Sequence, residues 1–488
     1  MDDLQDVPAE GAPNGGPGPR ALRNTALVLT ARVASRLLAL VTVVVMANHL
    51  GDARFGDFQT LINISGVVAV LIDLGFNTLF VREAARHPGE LSRYLSNLVT
   101  ARLLFAVPAL VVFAGVLWAR GFGSLLVPGF VLMVAASYSG LLHQAFYARQ
   151  RVGFEAIAIV LESVVLIAVT LAGVLTHQGI AYFIWAYAIS YGFTCGFFLV
   201  VLAATGMARI RWRLEPDLVR TWLWKGLPFA LTFVITTIYF KIDVPILQAF
   251  HGSREAGWYA FAYKPFEALL FVPITMLNVV FPVISVFHRE AADRVPWAVE
   301  RFYRSLLLLG WPITVGTFML TPGIARAFHM FPPSEPALRI LSLGIVLMFV
   351  NNAFIAALNS IDRQVSFTYA ALATMVVNLV LNFALIPPYG YLGASWATVL
   401  TELALLAAGW WLTARHLAPM PLPRLSWRIL LAGLAMGVVL IPMRGFQGLS
   451  LGLAVLAAVA AYAAALALLR AIDPDEVALA RRALRVGA

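Results

Sequence analysis

The chain has 488 residues, 61% of them hydrophobic and only 12% charged, with a formal net charge of +10. Soluble domains carry about twice that charge density and cannot hide so much apolar surface, so a water-soluble globular fold is excluded and a bilayer must act as part of the solvent. The positive charge is spread over alternate loops rather than massed on one face, which argues for orientation in a membrane and against nucleic acid as a partner.

In chain order, residues 1–19 (MDDLQDVPAEGAPNGGPGP) are acidic, then Pro/Gly-rich, with no apolar run. They predict a disordered cytoplasmic tail. Acids stand where a signal peptide needs bases, so no cleavage is expected. A membrane-crossing helix needs about 20 apolar residues. Such runs predict fourteen spans, at 23–49, 57–80, 95–118, 122–146, 152–175, 179–204, 227–250, 258–286, 303–327, 337–360, 365–387, 391–414, 427–443 and 449–470. Gly51-Asp52, Pro332-Pro333 and Pro387-Pro388 punctuate them as turns. The fold expected is an all-α membrane protein. Its divisions are a first lobe over 20–205, a basic cytoplasmic linker over 206–226, a second lobe over 227–416, two extra helices within 417–470, and a cytoplasmic tail over 471–488. The linker carries Trp212, Trp222 and Trp224, and its stretch EPDLVRTWLWK suits either an interfacial amphipathic helix or a plain basic loop.

With the N-terminus inside, inner segments hold 24 Lys and Arg and outer segments six. That bias places both termini in the cytoplasm of a multi-pass protein of the inner (plasma) membrane. The single Cys195 excludes an internal disulfide and a Cys-based zinc site. There is no Walker A sequence and no His-Glu-x-x-His, so a transporter rather than an enzyme is expected, without a cofactor.

An internal repeat follows the six-and-six division. Gly51-Asp-Ala-Arg-Phe-Gly56-Asp-Phe58 and Gly252-Ser-Arg-Glu-Ala-Gly257-Trp-Tyr259 share Gly, four residues, Gly, and an aromatic two further on, at an offset of 201. Gly179 and Gly393 lie at a similar offset of 214. Parallel repeats of this kind occur in secondary transporters, with the substrate site between the lobes.

These residues also carry a family resemblance. Leu50-Gly51 through Gly56 and Asp73-Leu-Gly-Phe76 resemble the first two helices of the polysaccharide flippases. So does the run from Leu227-Pro-Phe229 through Asp243, Gly257-Trp-Tyr259 and Phe281-Pro282. Asn378-Leu-Val-Leu-Asn382, Ile386-Pro387, Gly390, and Gly393-Ala-Ser-Trp-Ala-Thr398 to Glu402 resemble their eleventh and twelfth helices. These proteins form part of the multidrug/oligosaccharidyl-lipid/polysaccharide exporter superfamily, and the resemblance spans residues 21–416. It implies a V-shaped, two-lobed fold that moves a polyprenyl-diphosphate-linked oligosaccharide across the bilayer. A polysaccharide polymerase and glycosyltransferases are the protein partners it suggests.

Ionisable residues inside spans cost roughly 2.5–3.5 kcal/mol each at a helix centre, so they point to function. Five cations qualify: Arg32, Arg36, Arg102, Lys241 and Lys264. Arg32 and Arg36 are four apart and share a helix face. Cations from both lobes suit a central chamber for an anion, and an Arg fork grips diphosphate oxygens well. Pairing with intramembrane acids is the competing reading, above all for Lys264 with Glu267, while Arg102 also suits snorkelling to the inner interface. Asp73 is expected either to pair with Arg82 or Arg86 or to sit at a solvated helix end.

Asp243, Asn378, Asn382 and Thr398 fall at one depth, roughly 8–14 Å below the outer surface at about 1.5 Å of rise per residue. With a carbonyl near Ala394 they offer oxygen ligands of the type hard cations prefer, so Na+ is one candidate coupling ion. Polar glue between helices is the plainer reading. A proton on Glu162, Asp243 or Glu402 is the other candidate. The function expected is a lipid-linked oligosaccharide flippase for cell-surface polysaccharide, working by alternating access. A peptidoglycan-precursor flippase, a multidrug cation antiporter and a membrane polymerase or ligase are the alternatives, in that order.

Overall fold

Within a bilayer the backbone finds no water to bond with, so long apolar runs wind into helices whose hydrogen bonds are internal. The computed structural model describes residues 19–149 and 151–471. The tails expected over 1–19 and 471–488 therefore lie, but for one residue each, outside the described residues. Among the described residues there is no strand. The helices are α1 (Pro19–Val68), α2 (Val70–Asp73), α3 (Phe76–Arg86), α4 (Leu91–Ala119), α5 (Leu126–Ala148), α6 (Val152–Leu175), α7 (Ile180–Thr205), α8 (Pro216–Lys241), α9 (Asp243–Leu269), α10 (Phe271–Glu290), α11 (Val295–Ala327), α12 (Ser334–Ser360), α13 (Gln364–His416), α14 (Leu422–Leu440) and α15 (Leu449–Leu468).

Eleven helical stretches among the described residues are long and apolar enough to cross a membrane. Three of them, Thr30–Asp73, Phe229–Glu290 and Gln364–His416, run to 44, 62 and 53 residues, far beyond one crossing. Each breaks at a glycine with positive φ: Gly51 (φ 76°, ψ 172°), Gly252 (φ 82°, ψ 179°) and Gly390 (φ 54°, ψ −134°). The fourteen expected spans map onto these eleven stretches when the three are taken as pairs. Gly51 and Gly252 adopt nearly the same backbone angles, so the repeat written in the sequence has a counterpart in geometry.

Three expected spans are interrupted along their length. The span over 57–80 is interrupted by Leu74 (φ 39°) and Gly75 (φ 69°). A Cβ on Gly75 would come within 2.3 Å of the Ala230 nitrogen, so the chain bends there because it must pass α8 backbone to backbone. The spans over 227–250 and 258–286 are interrupted at Ile242 and Leu270.

Helices α1 to α7 pack among themselves, chiefly α1 on α6 and α5 on α7, and α8 to α13 do likewise, through α9, α11, α12 and α13. The two groups meet along α1 against α9 at the end that carries Gly51 and Gly252, and through α2 and α3 against α8 at the other. Phe55 on Phe261, 5.7 Å between ring centroids, fills the first contact. Helices α14 and α15 dock on α11, where Trp311 Nε1 donates to Leu430 O (3.0 Å) and Tyr462 OH donates to Leu308 O (3.1 Å).

The linker is neither a free loop nor wholly a helix. Its segment from Met207 to Glu215 runs along α4, and the N–H groups of Arg209, Arg211, Arg213 and Glu215 donate to Ser92, Ser96, Thr100 and Asn97 at 3.0, 3.0, 3.2 and 2.6 Å. Alternate amides of an extended chain face one way, so one helix face can satisfy them all. Arg93 adds an ion pair to Glu215. From Pro216 onward the amphipathic segment forms the first turns of α8, with Trp222 buried against Tyr94 (5.0 Å) and Trp212 and Trp224 exposed.

Candidate functional site

The cations expected to line a chamber divide into three kinds. Arg102 does not reach the space between the halves. It is fully buried within the first group, where Nη2 lies 3.1 Å from Asp73 Oδ1 and 2.7 Å from Asn77 Oδ1, and Nη1 is 2.9 Å from Ser137 Oγ. Ser137 Oγ in turn donates to Asp73 Oδ1 (2.6 Å). Arg102 is thus an internal counter-ion rather than a ligand-binding group. Asp73, expected beside Arg82 or Arg86 or at a wet helix end, is its buried partner. The acid stands two helices back in sequence, which spacing within one helix does not reveal.

Arg32 pairs with Glu155 of α6 at 3.2 Å, with 43% of its side chain still exposed. The acids of α1 itself, Asp52 and Asp57, lie beyond the break at Gly51, so the partner comes from a neighbouring helix.

Arg36, Lys241 and Lys264 form the third kind. Lys264 pairs with Glu267 at 2.9 Å, as their spacing of three allows. Lys241 ends α8 and extends across the interface to Gly66 of α1, where a Cβ would lie 2.8 Å from its Nζ. An ammonium group from the second group of helices thus lies against α1, the helix that also carries Arg36.

A second cluster lies wholly among α8 to α13. Asp243, Asn378, Asn382 and Thr398 are all buried and in contact. Asn382 Nδ2 donates to Asp243 Oδ1 (2.7 Å), and Thr398 Oγ1 lies 3.2 Å from both Asp243 Oδ2 and Ala394 O. Tyr259, which the sequence did not single out, donates to Asp243 Oδ2 (2.9 Å). Its signal was present, since Tyr259 is the aromatic that closes the second copy of the repeat. No cation faces Asp243 among the described residues, and Asn382 Oδ1 is a buried acceptor without a donor. Asp243 thus accepts its hydrogen bonds from neutral donors, Asn382, Tyr259 and Thr398. Lys241 and Asp243 flank the break at Ile242 and point into different clusters.

Glu402 is buried, accepting from Tyr239 OH (2.8 Å) and Asn351 Nδ2 (2.7 Å). Glu162 accepts from Thr194 Oγ1 (2.8 Å) between α6 and α7.

The end bearing Gly51 and Gly252 is sealed by a reciprocal contact. A Cβ on Gly56 would lie 1.7 Å from Ser253 O, and one on Gly257 2.1 Å from Asp52 O. Residues 52 and 253, like 56 and 257, differ by the repeat offset, so the contact obeys a two-fold rule. Asp57 accepts from Gln248 Nε2 (2.9 Å) and from Ser253 Oγ across the seal. Asp52 accepts from Trp258 Nε1 (3.1 Å) and pairs with Arg254 (3.4 Å). Sequence reasoning placed these polar residues in outer turns and missed their role as a closure.

Two helical groups of long apolar helices, meeting through α1 and α9, have the architecture of a multi-pass membrane transporter. Two family models each match more than half of the chain: that of the polysaccharide biosynthesis proteins over residues 21–288, and that of the lipid II flippase MurJ over residues 156–463. The chain belongs to these flippase families of the multidrug/oligosaccharidyl-lipid/polysaccharide exporter superfamily. Its fold is similar to that of a lipid II flippase MurJ in an inward closed conformation, at a TM-score of 0.77 and 15% identity over 91% of this chain and 98% of the other. An inward-facing multidrug resistance transporter of the same superfamily gives 0.62 at 15% identity, over 80% of this chain and 98% of the other. A superfamily transporter from Pyrococcus furiosus, described as having a binding pocket of reverse polarity, gives 0.57 at 13% identity, over 82% and 96%. No curated protein matches the chain.

Proposed function

We propose that the protein carries polyprenyl-diphosphate-linked oligosaccharide from the cytoplasmic to the outer leaflet of the plasma membrane, for cell-surface polysaccharide. The observation that carries this reading is that both groups of helices contribute cations inside the spans, Arg36 on α1 and Lys241 and Lys264 on α8 and α9, with Lys241 reaching across the interface to Gly66. A diphosphate is the part of such a lipid that needs cations, and the sugar and the polyprenyl tail do not. A cationic drug would be repelled from the same place. The Gly51/Gly252 seal corresponds to the outer side, and both termini to the cytoplasm, as the loop charges suggest. Both ends are closed in this structure; opening the α3–α8 contact while the seal holds, and the seal while the α3–α8 contact holds, would expose the headgroup site to each side in turn.

The Asp243 cluster supplies the coupling ion. The orphaned Asn382 Oδ1 and the lone carboxylate fit Na+, which Asp243, Asn378, Asn382, Thr398 and the Ala394 carbonyl would hold. A proton on Glu162, Asp243 or Glu402 is the alternative driver. A peptidoglycan lipid precursor is the second substrate reading, favoured by the MurJ model match over residues 156–463. A polymerase and glycosyltransferases are the partners a polysaccharide substrate would bring.

Arg36→Ala should abolish surface polysaccharide while the protein still reaches the membrane, measured by polymer staining and immunoblot of membrane fractions. Wild-type polymer would remove the binding model. Deletion separates the two substrates, because loss of a peptidoglycan-precursor flippase is lethal and loss of a polysaccharide flippase is not.

A further inference from the structure

Helix α13 breaks at Gly390, and two side chains of α9 hold the break. In a regular helix the Tyr391 N–H would donate to Pro387 O, four residues back. Here it donates to Glu255 Oε2 (3.0 Å). Pro387 O is met instead by His251 Nε2 (3.1 Å), which also lies 2.9 Å from Ile386 O. The two side chains complete the link between them, with His251 Nδ1 3.3 Å from Glu255 Oε1. An imidazole and a carboxylate are thus inserted into one rung of the helical ladder. Gly390 leaves the room for this, since a Cβ there would lie 2.1 Å from Glu255 Oε2.

The arrangement has a proton requirement. The Ile386 and Pro387 carbonyls and the Glu255 carboxylate are acceptors, and each ring nitrogen of His251 faces at least one of them. A neutral imidazole has a single N–H, so its other nitrogen would turn a lone pair toward an oxygen. Only the imidazolium donates on both sides. The first half of the molecule makes no such demand. His49 Nε2 lies 3.0 Å from Gln178 O, and the repeat offset of 201 puts Arg54 where Glu255 stands, so one N–H is enough. The neighbouring charges are already engaged. Residues 386–391 of α13 include no charged side chain. On α1, Asp52 is taken by Arg254 and Trp258, and Asp57 by Gln248 and Ser253. Arg120, at the end of α4, donates to Pro245 O, and Glu335 of α12 pairs with Arg339.

We propose that His251 and Glu255 form a proton-binding site, separate from Glu162, Asp243 and Glu402, whose occupancy clamps the Gly390 break of α13 to α9. The two side chains are 26% and 24% exposed, so the proton can exchange with water. Losing it sets a lone pair against an oxygen and releases one end of the link. Asn382 before the break and Thr398 after it both bond to Asp243, so the clamp also fixes how the two segments of α13 stand about that carboxylate. The clamped arrangement binds one proton more than the released one. Acid therefore favours it, and it weakens as pH rises through the range in which imidazoles titrate.

The test is hydrogen exchange of the full-length protein in detergent, resolved to single residues by electron-transfer fragmentation. Its readout is the protection factor of the Tyr391 amide between about pH 5.5 and 8.5. Wild-type protection should fall by up to about tenfold per pH unit once the imidazole titrates, the slope of one proton, while amides further along α13 keep theirs. Glu255→Gln separates a proton site from a plain ion pair. Its NH2 can donate to His251 Nδ1 while its oxygen accepts from Tyr391, so a neutral imidazole with Nε2–H satisfies every link. Protection in this variant should stay high and no longer change with pH, whereas His251→Phe should lose it at every pH. Wild-type protection that does not change with pH would overturn the proposal. So would loss of Tyr391 protection in Glu255→Gln protein whose other helices remain protected, since that is the behaviour of an ion pair that only braces the helix.

Discussion

Gly56→Ala tests the two-fold seal with one methyl group. A Cβ at position 56 would sit 1.7 Å from Ser253 O, whereas a carbon and a carbonyl oxygen need about 3.3 Å. Backbone lies on both sides, so the strain cannot be relieved by a rotamer change, and α1 and α9 must part by about 1.6 Å. The bond from Gln248 to Asp57, now 2.9 Å, would then exceed hydrogen-bonding range. Overpacking costs about 1–3 kcal/mol and a lost bond to a charged group about 1.5–3 kcal/mol. Together these reach about 2.5–6 kcal/mol against the sealed arrangement, a shift of about seventyfold or more in its population. The assay replaces Cys195 with alanine and introduces Ala256→Cys, at a position with 0% exposure. A membrane-impermeant maleimide added from outside should leave the parent unlabelled and label the Gly56→Ala form. Gly257→Ala should label equally, since its Cβ would lie 2.1 Å from Asp52 O. Gly51→Ala is the control: nothing lies within 4 Å of its Cβ, so it should lower the melting temperature through backbone strain of about 1–3 kcal/mol without exposing the cysteine. Unlabelled Gly56→Ala protein with normal transport would refute the account of the seal.

Other outcomes follow from the remaining clusters. Arg102→Met leaves Asp73 buried and unpaired, so it should lower stability by about 3–5 kcal/mol, read as a fall in melting temperature, while folded protein binds a short-chain isoprenyl-diphosphate-linked N-acetylglucosamine as before. Raising Na+ at constant ionic strength should raise the melting temperature of wild type, by the equivalent of about 1.4 kcal/mol at ten times the dissociation constant, and leave Asp243→Asn unmoved. Hydrogen bonding from Arg93 and Asn97 holds Glu215 down to about 2. A depressed carboxylate contributes stability that is present above its unfolded value and lost as pH falls through its folded one. Hydrogen-exchange protection of the amides of Arg209 to Glu215 should therefore decline progressively as pH falls from the ordinary carboxylate range to about 2, whereas Glu215→Gln should weaken it at neutral pH and show little further decline on acidification.

The sequence made the helical architecture legible because bilayer physics leaves few alternatives: apolar length marks spans, and the repeat at Gly51 and Gly252 announced matching breaks. The Asp243 cluster was legible by depth alone, since residues at one level on neighbouring helices have few places to go. What depth cannot give is azimuth. Arg102 and Lys241 both read as intramembrane cations, yet one turns into its own helix group toward Asp73 and the other across the interface toward Gly66. The break at Leu270 was hidden because apolar composition continues through it, and the one at Ile242 because its flanking charges, Lys241 and Asp243, were read for function rather than for backbone. The seal escaped notice because Asp52, Asp57 and Arg254 have the composition of ordinary solvated turns.

The connection along α4 has a mechanical consequence. A tether that is itself buttoned down has no slack to pay out, because the amides of Arg209, Arg211, Arg213 and Glu215 are already fastened. When one half tips against the other, the strain passes straight into α8, whose first departure from regular helix is the bend at Ile242. That joint has Lys241 on one side and Asp243 on the other, so a single pivot swings the group that reaches across to Gly66 and the group that binds Asn382 through the same arc.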